Sequence, residues 1–274
     1  MLVNATRIGA IAGAAVLAGA LSAQAGPWPQ REGGGLFIAS AGYLQADNSL
    51  ANANPALGNG TFSRLDLSLY GEYGLTDNIT LGAATQVESV RLHGSITKGE
   101  SAGLTDVDVF VRPVLWSDGE SILSAQGTIT IPTGYSRDHN PALGDGAVGL
   151  EPRLLFGQGI TIGDWPSFIE VEAAYRFRLG APADQVRLDG SLGVHVADDW
   201  MLLLQSRNTI SMRNQSGLAL SGSLGTDYDL YTISLSVVHD LSPDWSIEFG
   251  ATSEVGGRNY NTGNGVFLSV WRKF

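Results

Sequence analysis

Between Ile169 and Leu179 the chain alternates strictly in character. Ile169, Val171, Ala173, Tyr175, Phe177 and Leu179 are apolar or aromatic, and Glu170, Glu172, Ala174, Arg176 and Arg178 stand between them. Only an extended strand sends successive side chains to opposite faces. One face of this strand suits hydrocarbon and the other is heavily charged. The same alternation runs through Leu65 to Tyr73, Leu123 to Pro132, Val186 to Val196, Tyr231 to Val238, Trp245 to Glu254 and Val266 to Phe274.

Extending that reading gives twelve strands, at 35–45, 62–74, 79–92, 104–116, 121–132, 147–156, 166–180, 186–196, 200–212, 228–239, 245–254 and 265–274. Their connections differ in kind. Tight turns fall at 75–78, 117–120, 197–199 and 240–244, with a somewhat longer one at 157–164, whereas loops at 46–61, 93–103, 133–146, 213–227 and 255–264 are mostly longer. Short turns at one end and long loops at the other are the arrangement of an outer-membrane barrel. The expected fold is all-β, a transmembrane antiparallel up-and-down barrel of twelve strands. A soluble β-sandwich would need Greek-key crossings, and only meander-like hairpins are visible.

Composition narrows the class further. Charged residues make up 16% of the chain, against about 25% in ordinary soluble domains. Past residue 25 no apolar run approaches the roughly 18 to 20 residues of a spanning helix, so a polytopic helical transporter is excluded. The net charge is −11, and Lys98 and Lys273 are the only lysines. With no basic stripe, a nucleic-acid partner is not expected. Residues 1–25 carry Arg7, an apolar stretch from Ile8 to Leu21 and the A-x-A pattern Ala23-Gln24-Ala25. They read as a cleaved signal peptide, an N-terminal helix or membrane anchor being the alternative. The mature domain is then 26–274, starting at Gly26, exported to the outer membrane of a Gram-negative cell.

Aromatic residues mark one rim. Asn78-Ile79, Asp164-Trp165, Asp199-Trp200 and Asp244-Trp245 each deliver a large apolar side chain as a strand leaves a short turn, and Trp116 closes a strand at the same end. Trp116, Trp165, Trp200 and Trp245 are expected to form a periplasmic girdle at the bilayer interface. Val266, Leu268, Val270 and Phe274 share one face of the last strand, which looks like the assembly signal read by the barrel-assembly machinery. Arg272 departs from that pattern, and Trp271 beside it is expected to substitute in part.

Asn54-Pro55-Ala56-Leu57-Gly58-Asn59-Gly60 recurs as Asn140-Pro141-Ala142-Leu143-Gly144-Asp145-Gly146. Pro, Gly and Asn/Asp set turn geometry, so a shared turn is the simpler reading. A paired motif folding inward or binding a ligand at the mouth is the other. Ile131-Pro132-Thr133-Gly134, Leu143 to Gly146, Leu150-Glu151-Pro152-Arg153-Leu154-Leu155-Phe156-Gly157 and Glu72-Tyr73-Gly74-Leu75-Thr76-Asp77-Asn78 together resemble the bacterial outer-membrane barrel family named after the meta-pathway of phenol degradation. That resemblance covers most of the mature chain. It implies a transporter-like channel for small, often hydrophobic or aromatic compounds, and it carries no catalytic motif.

Catalytic candidates are few. His93-Gly94-Ser95 faintly resembles the His/Ser arrangement of lipid A deacylase-like barrels, but Ile96 stands where an Asn usually follows. His139 lacks ligands placed by spacing, and His195 and His239 read as hydrogen-bonded structural residues near turns. Gly33-Gly34-Gly35 lacks the strand and helix that phosphate binding demands. No enzyme activity, cofactor or metal is expected. The stronger constellation spans three consecutive strands: Glu151 and Arg153, then Glu170, Glu172, Arg176 and Arg178, then Arg187 and Asp189. On adjacent strands such groups come within pairing reach. They would either brace a polar lumen or set a transverse field that solutes cross.

Strands ~4.8 Å apart and tilted ~40° close twelve-fold at a backbone diameter of roughly 24 Å, so opposed Arg, Glu and Tyr side chains should leave the lumen narrow or partly plugged. The expected molecule is a monomeric channel for a small solute, surrounded by outer-membrane lipid and lipopolysaccharide. A surface-structural or envelope-assembly barrel linked to polysaccharide export or adhesion is the first alternative. A barrel lipid hydrolase is the second.

Overall fold

The structure is a computed structural model describing residues 26–274 apart from 48–59, 95–97, 137, 140, 216–226 and 261. The expected signal peptide, 1–25, lies outside the described residues, as does most of the first copy of the seven-residue repeat. Twelve strands follow one another: β1(Gly35–Asp47), β2(Gly60–Thr76), β3(Ile79–Gly94), β4(Lys98–Ser117), β5(Ser121–Ile131), β6(Gly149–Ile162), β7(Trp165–Arg178), β8(Gln185–Ala197), β9(Trp200–Ser211), β10(Asp229–Ser242), β11(Trp245–Arg258) and β12(Asn264–Lys273). Each pairs antiparallel with its sequence neighbours, and β12 returns to β1 from Leu36↔Lys273 to Gln45↔Asn264, closing the barrel. Closure leaves no edge, which hydrocarbon requires because it offers no partner to a free N–H or C=O.

Alternation becomes two surfaces. Leu65, Leu67, Val171, Leu235 and Phe249 stand outward with more than half of their surface uncovered, the last at 62%, while polar neighbours such as Glu151, Glu170 and Ser236 turn inward and are buried. A continuous exposed apolar belt of this extent belongs against lipid. Within β7, Ile169, Val171 and Phe177 face out, as the sequence pattern demands.

Boundaries differ where glycine misleads. β6 continues to Ile162, so the turn read at 157–164 shrinks to Gly163 and Asp164, Gly163 adopting a positive φ of 62°. Gly157 and Gly159 are ladder residues, paired with Glu170 and Phe168. β4 begins at Lys98, making the hairpin at 93–103 much tighter than its polar composition suggests. In β6, Pro152 has no N–H to give, and pairing with β7 lapses between Leu150↔Phe177 and Arg153↔Ala174.

The four tryptophans of the expected girdle all lie exposed at the short-turn end. Trp116 gets there through a bulge between Val114 and Trp116, which places it opposite outward Leu123. On β12, Val266, Leu268, Val270 and Phe274 share the outward face. Trp271 does not substitute for Arg272: it points inward, 3% exposed, and its indole N–H donates to Glu248. Arg272 instead lies over the ring of Trp245, its register partner, 4.7 Å from the centroid.

Candidate functional site: the barrel lumen

The segment 26–34 has no periodicity and occupies the short-turn end of the lumen. Trp28 is its centre. The ring meets Phe168 edge-on with centroids 5.5 Å apart and joins a buried cluster of Leu36, Ile122, Met201, Leu203, Val238 and Trp271. These side chains point inward from their strands, where water would otherwise stand, and they form a small apolar core inside the barrel. Pro27 and Trp28 press on Gly157, where any Cβ would collide with them.

Polar contacts fix the rest of the segment. The Ser124 hydroxyl donates to the Pro27 carbonyl at 2.6 Å, and Arg112 Nη2 donates to the Trp28 carbonyl at 3.2 Å. The Gln30 N–H donates to Thr80 at 3.0 Å and its side chain to Glu72 at 2.7 Å. Arg112 and Glu72 pair with each other at 2.6 Å, both buried, and Tyr70 donates a short hydrogen bond to Glu72. Near the rim, Gly33, at φ 75°, donates to the Gly74 carbonyl at 2.9 Å. The glycine run is thus a tether between this segment and β1.

Above the segment lies the charged wall. Arg153 donates twice to Glu151, from Nε at 3.0 Å and Nη2 at 2.8 Å, and from Nη1 to Asp189 at 2.7 Å and, at short range, to Glu172. Arg176 Nε reaches the other Glu151 oxygen at 2.8 Å and Arg187 reaches it at 3.4 Å. Six of the eight sequence-predicted residues therefore meet: Glu151, Arg153, Glu172, Arg176, Arg187 and Asp189. Arg178 sits higher, binding Asp145 at 2.7 Å and the Ala183 carbonyl at 2.6 Å, where it ties two long-side loops together. Glu170 sits lower, beside the N-terminal segment. Face parity put all eight on one side of the wall but could not assign their heights.

Four further charged residues line the lumen near the wall or across from it. Arg207 on β9 stands opposite Asp189 with no hydrogen-bond partner among the described residues. Across the barrel, β2 and β3 contribute Arg64, paired with Asp66 at 3.3 Å, and Glu88, held by Gln86. Guanidinium and carboxylate groups are interleaved on both sides of the lumen. Toward the long-loop end, the second repeat copy folds inward: Pro141 and Leu143 are buried, and the Tyr135 hydroxyl donates to Asp106 at 2.6 Å while accepting from the Gly146 N–H at 3.0 Å. Burial and the Asp106 bond push the Tyr135 hydroxyl pKa upward.

His93 is exposed on β3, and Ser95 lies outside the described residues. His239 Nδ1 donates to the Asp199 carbonyl at 3.1 Å and the ring stacks on Trp200, as a structural histidine should. His195 differs, for its Nε2 is buried without a partner. No group of metal-ligating residues occurs among the described residues.

The N-terminal segment with its Glu72 and Arg112 partners is what sequence reasoning missed. A signal existed. Met201-Leu202-Leu203-Leu204 breaks the alternation, and two inward apolar residues at one level of a polar lumen need something apolar to pack against.

A family model described as "Putative MetA-pathway of phenol degradation" matches residues 30–270. The chain belongs to that family. No curated relative matches the sequence. Among solved structures, the COG4313 outer membrane channel from Pseudomonas putida F1 is similar, with a TM-score of 0.67 at 16% identity over 92% of this chain and 99% of that one. The NanC porin has a TM-score of 0.51 at 11% identity over 87% of this chain and 100% of the other. The β domain of the Bordetella autotransporter BrkA gives 0.52 at 12% identity, covering 89% and 100%. At these identities the likeness is one of fold. What this chain shares with these structures is the closed β-barrel.

Proposed function

We propose that this family member is a monomeric outer-membrane channel for a small organic solute, aromatic compounds being the class suggested by the family's description. The observation that carries the reading is the layered lumen. A charged wall at one level polarises the path, and below it a Trp28-centred segment, held by side chains and by a short backbone bridge to Gly74, fills the turn-side mouth. A solute with a polar group would be oriented by the interleaved guanidinium and carboxylate groups of the wall, and onward passage would require the segment to withdraw. Field-setting is the role we assign to Glu151, Arg153, Glu172, Arg176, Arg187 and Asp189, while Glu170 and Arg178 serve the segment and the loops.

Planar-bilayer recording tests the reading. The mature protein should show small or intermittent conductance, and Trp28→Ala should raise its open time or amplitude. Absence of conductance in both folded forms would favour a closed structural barrel. Lipid hydrolysis by purified protein that is lost with His93→Ala would favour the hydrolase.

A further inference from the structure

The lumenal segment starts where the sequence places the cleavage site, and its first residue meets an acid. Gly26 is buried, and a Cβ built on it would overlap Oε2 of Glu170. The carboxylate therefore lies against the Gly26 Cα, to which the Gly26 nitrogen is directly bonded. Glu170 is 4% exposed; the Ser191 hydroxyl hydrogen-bonds its carboxyl, but Oε2 has no hydrogen-bond partner. Nearby cations do not supply one. Arg112 is committed to Glu72 and the Trp28 carbonyl, and Arg207 acts on Glu170 only through space. Glu172, next along the same face, adds a second negative charge. A buried carboxylate in such surroundings calls for a cation.

We propose that Glu170 is the docking site for the α-ammonium of Gly26, created by cleavage of the Ala25–Gly26 bond. Water is the co-reactant: its oxygen goes to the Ala25 carboxylate, and the amine left on Gly26 takes up a proton at neutral pH. Before cleavage the same nitrogen is an uncharged amide with one N–H and cannot neutralise the acid. A side chain at this position would take the place of the carboxylate oxygen and turn Glu170 away from the Gly26 nitrogen. Maturation thereby adds an ion pair to the contacts that already seat the segment.

The mature chain would carry only three amines, at Gly26, Lys98 and Lys273. Intact mass of the purified protein first establishes the N-terminus, and a start elsewhere than Gly26 refutes the cleavage step independently of the ion pair and of channel activity. Folded protein in detergent is then acylated across a pH series and the three sites are quantified by peptide mass spectrometry. Pairing raises the pKa of an amine, whereas burial alone lowers it, so the wild type decides by itself. Gly26 labelling should reach half its maximum at least one pH unit above that of a free Gly-Pro-Trp peptide, which is about a tenfold slower rate at neutral pH. Glu170→Gln should restore fast Gly26 labelling with exposed Lys98 unchanged. A wild-type midpoint at or below that of the peptide, or a Gly26 rate insensitive to Glu170→Gln in folded protein, would overturn the proposal.

Discussion

Arg112 and Glu72 meet at 2.6 Å inside the barrel with side-chain exposures of 2% and 0%, and each also holds the N-terminal segment, Arg112 through the Trp28 carbonyl and Glu72 through the Gln30 side chain. Removing one member leaves the other charged and buried, which typically costs about 3–5 kcal/mol. Arg112→Met should therefore lower the heat-denaturation temperature on gels and raise bilayer conductance together. Thermal loss without any change in conductance would detach this pair from control of the mouth.

Outward Val171 and inward Glu172 are adjacent in β7. Val171→Arg should cost roughly 2–4 kcal/mol near mid-bilayer, read as reduced folding yield into lipid vesicles. Glu172→Gln should fold nearly normally, since Arg153 keeps Glu151 and Asp189. The reverse order would invert the facing of β7.

Neutralising Arg176 and Arg187 together should move ion selectivity toward cations, because Glu151 would lose two of its three guanidinium partners and dominate the local potential. Arg178→Gln, altering loop contacts to Asp145 and Ala183, should shift selectivity much less. Reversal potentials in a salt gradient measure both. Equal effects would remove any special role for the wall.

At the long-loop end, the Arg258 guanidinium hydrogen-bonds Asp227 at 2.6 Å and holds its carboxyl below the ordinary value of 3.8. A depressed folded pKa means stability that is present above the unfolded pKa and lost as pH falls through the folded one. The Arg258→Ala variant should therefore denature at a lower temperature than wild type near pH 6, and the gap should narrow as pH drops below 3.8. A gap constant down to pH 2 would mean that packing, not charge, carries the contact.

The strand count and the lipid face were legible because alternation in a barrel wall has one cause, water or polar groups inside and hydrocarbon outside. Lumen chemistry was legible only in part. Glu170 and Glu172 are indistinguishable by parity, yet one joins Arg153 and the other faces Gly26. That difference depends on a segment whose partners, Ser124, Arg112, Thr80 and Glu72, are scattered over four strands and leave no local pattern. Trp271 was misread for a related reason, since its neighbours in sequence could not reveal an apolar cluster within the lumen.

The glycine tether also fixes an order of events. Gly35 and Phe274 exchange backbone hydrogen bonds, N–H to carbonyl at 2.9 Å and back at 3.0 Å. The joint that positions the lumenal segment is thus completed by the last residue of the chain. The segment cannot be anchored in this way until β12 is in place beside β1, and until then Trp28 lacks part of the cluster that buries it.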